Sequence, residues 1–261
     1  MKATMSGFDL RAVARELNEY SGAYVKKAYM PHYEQIVLRI NPKDMDQFDL
    51  VLVRGARIYT SNRDRPMPMI PPPFAMVLRK HLKNARMIGV RQLGFDRVLC
   101  FNFDTKFGQY HLYVEVFRDG NIILTDAEDT IILPLTHASY AGRTLKKGVT
   151  YQPPPPAMDP HEIELEHLVE MFESSDRDLV STLGGKVNLG GTHANAVCAL
   201  AGMEPNIDTQ AADAQKVHSA LKSLLKDLAE SREGILLLKP DKEHSNEELE
   251  SQAAGQEPNG K

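Results

Sequence analysis

Apolar and polar residues follow two different patterns, one before residue 150 and one after residue 158. In the first part, short apolar segments predict nine strands, over 23–30, 33–40, 47–53, 56–60, 86–92, 97–103, 109–117, 121–125 and 129–135. Turn signals such as Asn41-Pro42, Arg54-Gly55 and Asp119-Gly120 separate them. Because the links are short, we expect successive strands to pair antiparallel.

Two helices are predicted in the same part of the chain, one before the first strand and one between the fourth and fifth strands. Over 9–20, Leu10, Val13 and Leu17 recur at helical spacing, and charged residues fill the other face. Over 74–83, one side of the predicted helix is apolar and the other is basic. Five prolines between residues 61 and 73 exclude a helix or a central strand there, so this segment is predicted to be a stiff loop.

After residue 158, apolar positions recur at helical spacing throughout. Asp159-Pro160 begins a predicted helix whose apolar face reaches Phe172, and more helices are predicted over 178–183, 192–201 and 209–230. Four consecutive prolines, 153–156, indicate a domain boundary. We therefore predict an α+β protein with a sheet domain over 1–152, a proline-rich linker over 153–157, a helical domain over 158–235 and a disordered acidic tail over 241–261.

The composition is typical of a soluble globular protein, and the lack of a membrane-spanning or export segment predicts that the protein stays in the cytoplasm. The chain has 261 residues, of which 42% are apolar and 25% are charged. No apolar run approaches the roughly 20 residues of a membrane-spanning helix. The first twenty residues hold no continuous apolar segment of the kind that directs export. Cys100 and Cys198 lie far apart and are expected to be small buried residues.

The charge distribution keeps a nucleic-acid partner possible despite a net charge of -4. Residues 241–261 hold six acids and two lysines, so the tail alone accounts for that net charge. A basic stripe in the sheet domain contains only one acid, Asp96. Such a stripe can bind a polyanion locally on a neutral body. Its cations are Arg79, Lys80, Lys83, Arg86, Arg91 and Arg97.

Common enzyme signatures do not occur in the sequence. It has no phosphate-binding P-loop, no Gly-x-Ser-x-Gly, no His-Glu-x-x-His and no dinucleotide-binding Gly-x-Gly-x-x-Gly after a strand. The nine histidines are scattered, and the spacing of six residues between His161 and His167 does not place them on one helix face. We therefore predict no catalytic centre, no metal site and no cofactor.

The segment Val187 to Cys198 is the first positive signal, because a glycine turn there opens a short predicted helix. Gly190, Gly191 and Thr192 could offer backbone N–H groups to a phosphate at the positive end of the helix dipole, as in a helix-hairpin-helix element. The same residues are equally typical of a plain turn between helices. The sequence leaves both interpretations open.

The second signal is Leu93-Gly94-Phe95-Asp96-Arg97, at the end of the basic stripe. Arginine can hold phosphate or guanine through two parallel hydrogen bonds, and the neighbouring carboxylate can accept from base amino groups or orient the arginine. The alternative for Asp96 and Arg97 is a surface ion pair beside a strand. Asp9 is similarly open, because an acid there could simply cap the first helix.

These segments together resemble the NFACT family of ribosome-associated quality-control proteins, whose members include NEMF in animals and RqcH in bacteria. The resemblance covers about residues 1 to 235 and depends on five blocks in the family's order. They are Phe8-Asp9-Leu10-Arg11-Ala12-Val13, Phe74-Ala75-Met76 with Arg79-Lys80-His81-Leu82-Lys83, Leu93-Gly94-Phe95-Asp96-Arg97, Tyr110-His111-Leu112, and Gly120-Asn121-Ile122-Ile123-Leu124-Thr125-Asp126.

The resemblance implies a β-sandwich with flanking helices, similar to the N-terminal domain of formamidopyrimidine-type DNA glycosylases, followed by a helix-hairpin-helix domain. It implies binding to the rRNA of a large ribosomal subunit that still holds a stalled peptidyl-tRNA. It also implies recruitment of charged tRNA, with tRNA-Ala expected, for template-free extension of the nascent chain. Peptide transfer itself would belong to the ribosome. The residues required for tailing in the family correspond here to Asp9, Asp96 and Arg97.

Two departures from the family keep alternatives open. Family members usually continue into a coiled coil and a further RNA-binding domain, which a separate chain could supply here. The glycosylase likeness is one of fold, because those enzymes use an N-terminal proline that Met1-Lys2-Ala3 lacks.

Two alternative functions stay open. An adhesin is one alternative, since relatives have carried a fibronectin-binding label. A DNA-binding or DNA-processing protein is the other.

Overall fold

The structure is a computed structural model that describes residues 4–118, 120–140 and 142–230. The predicted acidic tail over 241–261 and the last five residues of the predicted helical domain lie outside this described part.

Nine strands form one antiparallel sheet. They are β1 (Tyr24–His32), β2 (Gln35–Asn41), β3 (Phe48–Val53), β4 (Arg57–Ser61), β5 (Arg86–Gln92), β6 (Val98–Thr105), β7 (Gly108–Glu115), β8 (Ile122–Asp126) and β9 (Ile131–Pro134). Their order in the sheet is β4-β3-β2-β1-β5-β6-β7-β8-β9. The nine strands predicted from the apolar pattern are therefore confirmed, with every strand end within two residues of its predicted position.

The sheet has two halves that meet where β1 pairs with β5. Tyr24 is opposite Arg86 at this junction, and four backbone hydrogen bonds of 2.7 to 2.9 Å join residues 22–25 to residues 84–87. Helix α1 (Gly7–Asn18) packs on β5, and helix α2 (Pro73–Leu82) packs on β1. The Asn18 side chain binds both the N–H and the carbonyl of Val90 in β5, at 2.8 and 2.7 Å. The two helices therefore lie against the strands on either side of the junction.

One apolar core is shared by both halves of the sheet and by both helices. Its fully buried members include Leu10 of α1, Leu38 of β2, Leu78 of α2 and Leu112 of β7. Burial of such side chains is the main driving force for folding. The predicted α+β class with a large antiparallel sheet is confirmed, and the strands of the expected sandwich belong to one continuous sheet.

A smaller apolar core lies on the opposite face of β6 and β7. It includes Cys100 and Tyr113, and a short hairpin formed by β10 (Ala138–Tyr140) and β11 (Arg143–Leu145) contributes Leu145. The apolar pattern did not predict this hairpin, because strands of three residues are too short to show alternation. Cys100 and Cys198 are both buried free thiols, as predicted.

A buried ion pair lies within this smaller core. The carboxylate of Glu115 is fully buried and accepts hydrogen bonds from Arg143 Nη1 at 2.5 Å, Arg143 Nη2 at 3.2 Å and the Tyr151 hydroxyl at 3.0 Å. Burial raises the pKa of the Glu115 carboxyl above its ordinary value, although the bonds from Arg143 and Tyr151 act in the opposite direction.

The chain after residue 158 is helical, as predicted. It contains α3 (Leu165–Glu173), α4 (Leu179–Gly185), α5 (Gly190–Leu200) and α6 (Ala214–Glu230), with 3-10 turns at Pro160–Glu162 and Thr209–Ala211. Leu168, Leu183, Val197 and Leu221 are fully buried in its core. Residues 153–157 have no regular secondary structure. The sheet and helices form one compact unit up to Ala229, and the domain boundary stays a prediction.

Two helices begin later than the sequence predicted. The predicted helix over 209–230 is divided, because the carboxylate of Asp213 accepts from the Lys216 N–H at 3.1 Å and starts α6 anew. The helix predicted from Asp159 begins instead as a 3-10 turn, with α3 following from Leu165. Helical periodicity continues across both breaks, so the apolar pattern alone does not reveal them.

Candidate functional site

Helix α1 begins with a reciprocal cap formed by Ser6 and Asp9. The Asp9 N–H donates to Ser6 Oγ at 3.3 Å, while Asp9 Oδ2 accepts from the Ser6 N–H at 2.6 Å and from Ser6 Oγ at 2.8 Å. A carboxylate here is also favoured by the positive end of the helix dipole. The capping role of Asp9 is confirmed, and the cap fixes its half-buried carboxylate at the helix N-terminus.

The segment 93–97 forms a tight turn between β5 and β6. The Asp96 N–H donates to the Leu93 carbonyl at 3.1 Å, and Gly94 has a φ of +56°, which glycine adopts without the strain of a side chain. Asp96 Oδ1 accepts from the Arg97 N–H at 2.7 Å. Arg97 is exposed, and neither side chain forms a salt bridge within the described residues. The surface ion-pair interpretation is therefore wrong.

The turn is attached to the start of α1. Gln92 Nε2 donates to the carbonyls of both Gly7 and Asp96, each at 2.9 Å. The buried rings of Phe8 and Phe95 meet edge to face with centroids 4.6 Å apart. A Cβ on Gly7 would lie 3.0 Å from the Phe95 ring and carbonyl, so a larger residue here would push Phe95 away from α1. Asp96 and the N-terminus of α1 are therefore held together.

Arg11, on α1, contacts both the 93–97 turn and Asp159, at the start of the helical part of the chain. Its guanidinium lies 4.8 Å from the Phe95 ring centroid and donates to the Gly94 carbonyl at 3.3 Å and to Asp159 Oδ2 at 3.1 Å. Burial opposes ionisation of Asp159, but hydrogen bonds from His161 and Arg11 outweigh it, so the pKa of this carboxyl lies below its ordinary value.

Residues at the N-terminal end of α5 also contact Phe8 and Phe95. Asn188 Nδ2 donates to the Phe95 carbonyl at 3.4 Å and to the Met158 carbonyl at 3.1 Å. The His193 ring lies 4.5 Å from the Phe8 ring. We call this meeting of α1, the 93–97 turn and the start of α5 the joint. Gly190, Gly191 and Thr192 are exposed there, and α5 begins without a side-chain cap.

The predicted basic stripe is distributed over several elements. Arg79 and Lys80 lie on α2, and Lys83 follows its last residue. Arg79 Nε donates to the Ala28 carbonyl of β1 at 2.7 Å, so this part of the stripe faces β1. Arg86, on β5, pairs with Asp104 at 3.1 Å. The stripe therefore does not act as one continuous row of free cations.

Several residues of these surfaces were missed by sequence reasoning. Arg11 and Asn188 lie in segments that the sequence singled out, but their contacts with Asp159 and Phe95 were not predicted, because these partners lie far away in sequence. Lys26 and Lys27 lie beside α2, although more than fifty residues separate them from Arg79. A pair of adjacent lysines in a predicted strand was the available signal for this second surface.

The described residues hold no group of three or more His, Cys, Asp or Glu side chains arranged to bind a metal ion. Within the same part of the chain, no helix combines the length and the apolar character needed to cross a membrane.

Comparison with known proteins gives the chain its family. Residues 6–256 match the family model described as NFACT N-terminal and middle domains. The chain is 32% identical over 251 residues to a protein of Methanocaldococcus jannaschii named archaeal Rqc2 homolog aRqcH, which covers 92% of this chain and 37% of that protein. It is 40% identical over 133 residues to human ribosome quality control complex subunit NEMF, covering 51% of this chain and 12% of NEMF.

A solved structure supports the same relationship. The N-terminal part of the fibronectin/fibrinogen-binding protein from Streptococcus suis superposes with a TM-score of 0.65 and 25% identity, over 84% of this chain and 85% of that one. The chain spans little more than a third of the archaeal relative and about an eighth of NEMF. Relatives of the chain are named as ribosome quality control factors, and the chain itself belongs to the NFACT family.

Proposed function

We propose that the chain acts in ribosome-associated quality control by binding tRNA at the joint. In this proposal it docks on the rRNA of a stalled large ribosomal subunit that carries peptidyl-tRNA, and it recruits charged tRNA for template-free tailing of the nascent chain. The names of the archaeal and human relatives support this direction. We further propose that the tRNA is tRNA-Ala, that the chain works in the cytoplasm and that it has no catalytic centre of its own.

The observation that carries the proposal is the meeting of three separate segments at the joint. Phe8 and Phe95 touch there, and the next residues in sequence are Asp9 and Asp96, which are both half-buried. Arg97 follows Asp96 and is exposed. Carboxylates can accept from base amino groups, and arginine can bind phosphate or guanine. RNA loops expose the unpaired base edges that such groups recognise.

The other predicted contacts would supply affinity rather than selection. Arg79, Lys80 and Lys83 on and after α2 are proposed to contact phosphates, which makes binding sensitive to salt. Gly190, Gly191 and Thr192, at the start of α5, are proposed as weaker contacts to rRNA phosphates through backbone N–H groups. In this proposal the helices after residue 158 form a helix-hairpin-helix domain, and the sheet domain is glycosylase-like.

The double substitution Asp96→Ala, Arg97→Ala is expected to abolish tRNA selection and to leave ribosome docking largely intact. The readout is sequencing of RNA that copurifies with the tagged chain from gently lysed cells. Enrichment of one tRNA species with large-subunit RNA, and loss of only the tRNA in the variant, is the expected result. The matched control is Lys43→Ala, Asp46→Ala, which removes two exposed residues of opposite charge from the loop between β2 and β3. Equal loss of tRNA and large-subunit RNA would contradict the proposed roles.

A second experiment separates the capping role of Asp9 from a contact with tRNA. Ser6→Ala removes the Oγ of the cap and is expected to lower the free energy of unfolding by about 1 kcal/mol without changing tRNA affinity. Asp9→Asn keeps a hydrogen-bond acceptor but loses the charge, and it is expected to weaken tRNA binding. For both variants, urea unfolding measures the free energy of unfolding, and titration with tRNA measures the affinity. Unchanged affinity for Asp9→Asn would leave Asp9 with the cap alone.

Fibronectin binding is a second candidate, favoured by the name of the streptococcal relative. It predicts that the chain reaches the cell surface and binds immobilised fibronectin. Labelling of intact cells with a membrane-impermeant reagent distinguishes the two candidates, because a ribosome-bound factor stays protected until lysis.

A further inference from the structure

A cavity of about 320 Å³ lies between β1 and α2 and is lined by four cations. Lys26 and Lys27 come from β1, whereas Arg79 and Lys83 come from α2 and the residue that follows it. The other residues that line it, Val25, Ala28 and Leu78, are buried and apolar. The lining therefore contains four positive charges and no acid. We call it the β1–α2 cavity.

Local structure explains how two adjacent lysines reach this cavity. The register between β1 and β2 shifts between Val25 and Lys27, so Lys26 and Lys27 are both exposed instead of alternating. A bulge of this kind changes the direction in which the side chains of a strand point. On the opposite wall, the bond from Arg79 Nε to the Ala28 carbonyl fixes the guanidinium against β1. The cavity is therefore held by backbone geometry and not only by flexible side chains.

Arginines elsewhere in the protein hold carboxylates. Arg39 pairs with Asp49 at 2.9 Å, and Arg86 pairs with Asp104 at 3.1 Å. In the described part of the chain, by contrast, none of the four cations of the β1–α2 cavity forms a salt bridge. Like charges so close together repel one another, and an anion between them would relieve that repulsion.

We propose that the β1–α2 cavity binds a phosphate group of an RNA backbone. Arginine offers a planar pair of donors to phosphate, and lysines add point charges around it. The positive surface continues beyond the cavity along α2, where Lys80 is exposed next to Arg79. A polymer with successive phosphates matches this longer surface better than a single small anion does.

The inference depends on the proposed tRNA function and adds Lys26 and Lys27 to its contacts. Its test is the double substitution Lys26→Gln, Lys27→Gln in the full 261-residue chain, with unfractionated tRNA as the probe. The affinity for tRNA is expected to fall about tenfold. The slope of log affinity against log salt is expected to fall by about 1.5, since each lost phosphate contact removes about 0.7–0.9.

The matched control is Lys146→Gln, Lys147→Gln, which removes two exposed lysines from a loop after β11 and is expected to change neither quantity. If the wild type binds tRNA and the Lys26, Lys27 variant binds it equally, the inference is wrong and the proposed function stands. If the wild type binds no tRNA, the proposed function fails first. Pyrophosphate binding that is lost in the variant, with unchanged tRNA affinity, would assign the cavity to a free phosphate ligand and overturn the proposal.

Discussion

Replacing Arg143 by methionine is expected to lower the free energy of unfolding by about 3–5 kcal/mol, and the melting temperature by roughly 10 °C. The reason is the fully buried carboxylate of Glu115, which would lose two charge-assisted hydrogen bonds and keep only the Tyr151 hydroxyl among its side-chain donors. Removing one partner of a buried pair leaves a charge without compensation. Urea unfolding of both proteins measures the difference.

The pH dependence gives this prediction a second readout. A carboxyl whose pKa is raised by folding contributes stability below its unfolded pKa and loses it as the pH rises through its folded pKa. Without Arg143, the pKa of Glu115 would rise further, so the deficit should be larger at pH 8 than at pH 5. Arg86→Met breaks an exposed pair and should cost at most about 1 kcal/mol. Equal costs for both substitutions would contradict the argument.

Replacing Phe95 by alanine is expected to affect both stability and RNA binding. Phe95 is 1% exposed and packs on Phe8, so its loss should cost about 3–5 kcal/mol through the cavity it leaves. The side chain also holds the turn that carries Asp96 and Arg97 against α1. We therefore expect affinity for tRNA to fall at least tenfold at 10 °C, where the variant stays folded.

The matched control for this effect is Phe101→Ala. Phe101 is equally buried but belongs to the core shared by the sheet and the first two helices. Its loss should cost a similar free energy of unfolding and leave tRNA affinity close to that of the wild type. The joint would have no positioning role if Phe95→Ala and Phe101→Ala bound tRNA with equal affinity.

The sheet was predictable from the sequence because its strands are long enough to alternate and its turns carry Gly, Pro and Asn. The order of strands follows largely from short links, since every neighbouring pair except β1 and β5 is adjacent in sequence. The hairpin of β10 and β11 was not predictable, because six residues cannot display a period. The Asp213 cap was hidden by a helical pattern that continues across it.

The candidate site was only partly predictable. The turn before Arg97 and the cap at Asp9 are local, so sequence patterns indicated them directly. The joint depends on contacts over long sequence distances, such as Arg11 with Asp159 and Asn188 with Phe95. No local pattern encodes which of several charged helix positions will meet a residue almost 150 positions later.

The packing of α1 on β5 has a consequence for synthesis on the ribosome. Each half of the sheet is a meander of neighbouring strands, and such local pairing forms fast. Helix α1 emerges first, but the strand it packs on, β5, is made about 70 residues later. The helix therefore cannot dock on β5 until all four strands of the first meander have been synthesised. The apolar core that both halves of the sheet share can be completed only after the strands of the second meander have been synthesised.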